Sequence, residues 1–235
     1  MSLYNRRSVG DYAQEQNSFA QNDVALISFV KQTYQLFAAS LLAATVGAYV
    51  GLSTGAGAMV AQFYIGFVIL EFALLIGLFF TKAKPGINLA MLFGFTFVTG
   101  LTLTPLLSRV LGMPGGGAIV AQAFLLTTII FGVMSIFALR TKKDLASMGK
   151  MLFIALIVVV IASLVNLFLG SPLLQVLIAG AGAILFSLFI AYDTQNIVRG
   201  LYDSPVMAAV SLYLDFLNLF ISLLQLFGIF GSSDE

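Results

Sequence analysis

Two aspartates stand where a charge is expensive. Asp193 lies in A-Y-D-T-Q-N-I and Asp215 in L-Y-L-D-F-L-N-L-F-I-S-L-L-Q-L, both within long apolar runs. A carboxylate at the centre of a bilayer costs roughly 2.5–3.5 kcal/mol on insertion scales, so such residues face the bundle interior and mark ion or proton pathways. Glu71 is the one other ionisable side chain well inside an apolar run. The sequence has no Cys and no His. That excludes disulfides, thiol catalysis, haem and conventional zinc sites, and leaves oxygen atoms as ligands for a hard cation, or a carboxyl pair as a proton holder.

Asp193 precedes Arg199 by six residues and Asp215 follows the Pro205-Val206 start of its segment by about nine, which places them at about 9 and 14 Å from the same end at 1.5 Å per residue. They can therefore meet on consecutive helices. Two carboxyls that close do not both ionise, so they should hold one shared proton and titrate as a unit, a pH-sensitive element without histidine. The plainer alternative is that each caps or bonds neighbouring backbone on its own. The pair is also the candidate cation-binding position. Lys82, at the same end of the second apolar segment, is a candidate counter-ion, or else it extends to the headgroups. Glu71, eleven residues deeper and about 16 Å further along, is a stepping stone for a cation near the midplane.

Ser211, Asp215, Asn218, Ser222 and Gln225 are spaced four, three, four and three, one stripe on a helix otherwise filled by Leu and Phe. The stripe lines an ion pathway or serves helix packing through interhelical hydrogen bonds. Packing alone does not explain Asp215, because Asn would pack as well without the charge.

The positioning elements follow from composition. With 60% hydrophobic and 9% charged residues in 235, and a mean hydropathy of +1.04, the chain reads as an all-α integral membrane protein with room for seven spans and one domain. Net charge is +1 and the basic residues sit at span ends, which argues against nucleic-acid binding. The apolar segments fall at Phe29 to Gly51, Ala58 to Phe80, Ile87 to Val110, Ala118 to Leu139, Met151 to Leu169, Pro172 to Val198 and Pro205 to Phe230. Residues 1–28 form a polar tail without the features of a signal peptide, expected to be mobile and retained, in which Asn22 or Asp23 can cap the first helix. Residues 29–230 are the membrane domain and 231–235 a short C-terminal tail. Ten of the 11 Lys and Arg residues fall on the side of the N-terminus and only Arg109 on the other. This puts the N-terminus in the cytoplasm and the C-terminus outside, in a plasma or inner membrane.

Ala39, Ala43, Gly47 and Gly51 form a small-residue ridge for close packing, and the A-G-A-G-A run from Ala179 does the same in the sixth span. T-G-L-T-L-T-P predicts a kink at Pro105, with Thr hydroxyls bonding the freed carbonyls. The glycines from Gly112 to Gly117 lack the Lys-Ser/Thr of a phosphate loop.

These motifs resemble the transmembrane Bax inhibitor motif family, whose bacterial members are small seven-helix proteins. The resemblance rests on L-E-F-A-L-L-I, F-T-F-V-T-G-L-T-L-T-P, K-K-D-L, S-L-F-I-A-Y-D and S-L-Y-L-D-F-L-N-L-F-I-S-L-L-Q-L-F-G. It implies a seventh helix wrapped by the other six and a pH-dependent calcium leak governed by a di-aspartyl pair, here Asp193 and Asp215. It also implies a basic latch at the end of the second helix, occupied by Lys82 where a bacterial member type has Arg, and an acidic residue further back, matched by Glu71. A Lys cannot make the bidentate fork of Arg, so the latch would be weaker or differently tuned.

Some bacterial relatives instead resemble modulators of a membrane-anchored AAA protease, acting through the N-terminal tail. An intramembrane aspartyl protease is a poor match, because Leu212-Tyr213-Leu214 stands where that class has G-x-G before its second acid. The expectation is therefore a protein that is not an enzyme, has no cofactor, and has the bilayer, calcium and protons as its partners.

Overall fold

In lipid a chain has no water to satisfy its backbone, so a long apolar run becomes a helix. The computed structural model describes residues 9–81, 84 and 86–231, with side chains from Asp23 onward apart from that of Phe230, and contains no strand among them. Its helices are α1 (Val9–Ser53), α2 (Ala56–Gln62), α3 (Tyr64–Thr81), α4 (Ile87–Thr102), α5 (Thr104–Leu111), α6 (Gly116–Arg140), α7 (Gly149–Leu169), α8 (Pro172–Val198) and α9 (Pro205–Gly231), with a 3-10 turn (Leu145–Met148) before α7. Among the described residues seven segments are long and apolar enough to cross a membrane, α4 with α5 counting as one.

The last helix is the axis of the bundle. In its most apolar stretch 67% of residues are buried, against at most 33% in any other span. It packs directly on α8, α6, α1 and α4, while α3 and α7 face it across two cavities. Its first half joins Leu212, Tyr213 and Phe216 to Phe37, Leu92 and Phe95, and its second half joins Leu219, Phe220 and Leu224 to Leu107, Phe186 and Ile190. Phe37 stacks on Phe131 at 4.9 Å between ring centroids, and Phe216 meets both edge-on. The outward residues of α3 and α7, such as Phe80 and Phe168, are as apolar as the core, as a lipid-facing surface requires.

Helices α1 and α4 touch backbone to backbone. A Cβ on Gly47 would lie 2.1 Å from the Phe97 carbonyl oxygen, and one on Gly100 would lie 2.0 Å from that of Ala44. The small-residue ridge thus serves packing within the chain, but only in part. Gly47 and Gly51 are buried while Ala39 and Ala43 are half-buried, and the buried line continues through Ser40, Phe37 and Thr33. A step of four residues turns about 40° beyond a full circle, so a strict four-residue ridge drifts off the contact face. In α8, Gly182 lies against the Ser222 side chain whereas Gly180 faces open space.

Three expectations need correction. Helix α1 begins at Val9, so Asn22 and Asp23 lie inside it and cap nothing; residues 1–8 lie outside the described residues. The second apolar segment breaks at Phe63. Gly57 of α2 is drawn in against Thr104 and the Gly51 carbonyl, while α3 turns its aromatic residues outward. The third segment is interrupted at Leu103 by Pro105, as the sequence predicts, but the hydroxyls do not bond the Leu101 carbonyl that loses its donor: Thr102 bonds the Val98 and Thr99 carbonyls, and the buried Thr104 hydroxyl has no partner.

Candidate functional site at the α8–α9 seam

Helices α8 and α9 run antiparallel, and their register is fixed by polar and small contacts at successive depths. Gln175 Nε2 donates to Gln225 Oε1 at 2.7 Å at one end, and Gly182 admits Ser222 midway. Near the other end the same register brings Asp193 and Asp215 together. They are 6% and 5% exposed, lie within hydrogen-bonding reach of one another, and Asp215 Oδ2 has no hydrogen-bond partner. Unmatched buried oxygens are rare because each forfeits the hydrogen bonds water would give. No basic side chain among the described residues pairs with either aspartate. Lys82, the candidate counter-ion, lies outside the described residues.

Tyr202, on the connection between the two helices, closes the near end of the pair. Its hydroxyl reaches Asp193 and is itself met by the Ser211 hydroxyl. Burial first, and the neighbouring Asp193 charge second, hold the phenol above its ordinary range, so it remains a proton donor. The residues after Asp193 anchor a loop. Gln195 Oε1 accepts from the Leu145 N–H at 2.7 Å while its Nε2 donates to the Lys143 carbonyl at 3.0 Å. Arg199 pairs with Asp144, which also accepts from Ala146 N–H; these bonds, Arg199 foremost, hold the Asp144 carboxyl below its ordinary value. The K-K-D-L run is thus seated two residues from Asp193.

Glu71 is not part of this cluster. It lies seven residues from the opposite end of α3, where it accepts from the Thr102 hydroxyl. It lines a cavity of about 400 Å³ with Thr99, Thr102, Asn218 and Gln225. Thr99 in turn bonds the fully buried Tyr213 hydroxyl, two residues before Asp215. Residues 96, 99 and 102 recur every three in T-F-V-T-G-L-T, a spacing that keeps them on one side of α4; only their kink-repairing capacity was legible.

The stripe on α9 divides its work. Ser211 belongs to the Tyr202 cluster, Asn218 donates back to the Leu214 carbonyl at 2.7 Å, Ser222 donates back to Asn218, and Gln225 bonds α8. Helix α9 runs unbroken through Asp215. No group of three metal-ligating side chains occurs among the described residues. Calcium takes six to eight oxygens, so two carboxyls would hold it only together with water or carbonyls.

Against known proteins, the chain matches the family model described as inhibitor of apoptosis-promoting Bax1 over residues 26–232. It is 59% identical to an uncharacterized protein of Helicobacter pylori strain J99, over the whole of both chains. It is 53% identical to an uncharacterized protein of Campylobacter jejuni, over 99% of this chain and 100% of that one. With inner membrane protein YbhL of Escherichia coli K12 it shares 33% identity, over 90% of this chain and 96% of the relative. Seven apolar spans, the last of them a polar-striped axis, and a match over nearly all of that bundle make the chain a membrane protein of the Bax inhibitor family.

Proposed function

We propose that the protein is a passive pathway for calcium, and for other cations, opened by protonation of the Asp193–Asp215 pair. The observation that carries this reading is the pair itself: two carboxyls buried against each other, one oxygen unpartnered, with Tyr202 bonded to Asp193 and Ser211 in turn to Tyr202. Sharing one proton ties α8 to α9. A second proton removes the remaining charge and loosens that tie, so flux rises as pH falls. The Glu71 cavity is the vestibule at the other end, bordered by Gln225, with Glu71 and Asn218 supplying oxygens between bulk water and the pair. The chain carries out no covalent chemistry and uses no cofactor in this reading. The ten-to-one asymmetry of basic residues, together with the name of the Escherichia coli relative, supports an inner membrane location with the N-terminus in the cytoplasm.

The test is flux into liposomes holding a calcium dye. Wild type should pass calcium faster at about pH 5 than at about pH 8, and a flat trace throughout would reject the reading.

The helical part of the tail supports a second reading, modulation of a AAA membrane protease. Helix α1 extends from Val9 while the apolar run of the first span begins at Phe29, so 20 residues (9–28), about 30 Å of helix, precede that run. Deleting residues 1–22 should then abolish an effect on such a protease and leave calcium flux intact; loss of both would place the tail in the pathway.

A further inference from the structure

At the end of the bundle away from Asp193, the ends of α5, α7, α8 and α9 enclose a second cavity of about 500 Å³, within the usual range for a small-molecule site. Its polar lining is one-sided. Ser171 N–H donates to Asn166 Oδ1 at 3.0 Å, Asn166 Nδ2 to Gln175 Oε1 at 2.9 Å, and Gln175 Nε2 to Gln225 Oε1 at 2.7 Å. The relay consumes each amide oxygen in turn and ends on the Gln225 amide nitrogen, whose hydrogens have no acceptor among the described residues. Arg109, in the last turn of α5, also lines the cavity, and its guanidinium likewise has no acceptor among them. Among the described residues no Asp or Glu contributes to the lining, and Met113, Leu167, Leu224 and Ile229 supply apolar wall. Free donors beside apolar wall at a span end fit an anion that carries hydrocarbon.

We propose that this cavity binds an anionic phospholipid, with Arg109 pairing with the phosphate, Gln225 donating to a phosphate or glycerol oxygen, and the first methylenes lying on the apolar wall. The guanidinium fork suits a phosphate, and a cavity of about 500 Å³ does not hold a headgroup together with two acyl chains, which would leave between α7 and α9 into the bilayer. The plain alternative is that Arg109 only offsets the carbonyls at the end of its own helix.

The experiment is native mass spectrometry of the full chain in a neutral detergent, titrated separately with dihexanoyl phosphatidylglycerol, dihexanoyl phosphatidylcholine and inorganic phosphate. Phosphatidylglycerol should bind about tenfold or more tighter than the other two, and Arg109→Gln should weaken it by about tenfold, the scale of one charge-assisted contact. Gly228→Leu should block it by filling the cavity, since a Cβ there meets nothing closer than 3.5 Å. Lys150→Gln, at the opposite end, should change nothing, and melting curves identify any variant that fails to fold. Equal binding to wild type and both cavity variants would overturn the site. Inorganic phosphate binding as tightly as the lipid would overturn the lipid assignment.

Discussion

The two halves of α9 carry the same stripe and treat it oppositely. In the first half Asp215 is sealed among Leu212, Phe216 and Leu219, and its company is another acid. In the second half Gln225 borders both cavities, and its company is a relay of amides. Spacing decides which face of a helix is polar, whereas the neighbours decide whether that polarity is dry or wet. A charge in the dry half has few states available to it and can act as a switch; polar groups in the wet half can exchange partners with water and ions at little cost.

The contrast is broken most sharply by changing one group at each half: Asp193 of α8, the partner of Asp215, and the neutral Gln225. Asp193→Asn should abolish the pH dependence of flux, a change of about ten- to hundredfold at the low-flux end of the range, while Gln225→Leu should lower flux at every pH and keep the profile. If the two variants behaved alike, the division into gate and vestibule would fail. Next in size is Lys82→Ala, expected to raise flux at neutral pH by several-fold to about tenfold and to flatten its response, with Lys82→Arg tightening closure through a bidentate contact. An unchanged profile would leave the switch to the aspartates alone.

Smaller effects sharpen the boundary between the halves. Tyr213→Phe removes the hydroxyl joining α9 to Thr99 and, through α4, to the Glu71 contact; thermal unfolding should report a loss of about 1 kcal/mol. Flux should fall with its pH midpoint unmoved. The smallest is Asp144→Asn. Arg199 holds that carboxyl below its ordinary value of 3.8, so the pair adds stability above that pH and loses it as pH falls further. The melting temperature of Asp144→Asn should lie slightly below wild type at neutral pH, and the gap should close in acid.

How much of this was legible depended on whether a signal was local. The seven spans, the kink at Pro105 and the meeting of Asp193 with Asp215 follow from run length, a missing backbone donor and rise per residue, all local quantities. The break at Phe63 was not legible, because Gly57 packing against Thr104 is a contact between distant parts of the chain. Tyr202 and Gln195 were missed for a related reason. Each lies near Asp193 in sequence, but what it bonds is set by where the α8–α9 connection and the α6–α7 loop fold back. Glu71 was singled out in the sequence, yet its partner Thr102 was read only as backbone repair at the kink.

The central claim is that the two aspartates act as one protonation unit, and infrared spectroscopy of the protein in lipid nanodiscs tests it most directly. Between about pH 8 and pH 5 a protonated-carboxyl band should grow in step with calcium flux, and either Asp193→Asn or Asp215→Asn alone should remove that pH-dependent growth. A band that persists in both single variants, or two independent titrations each lost with its own aspartate, would contradict the account.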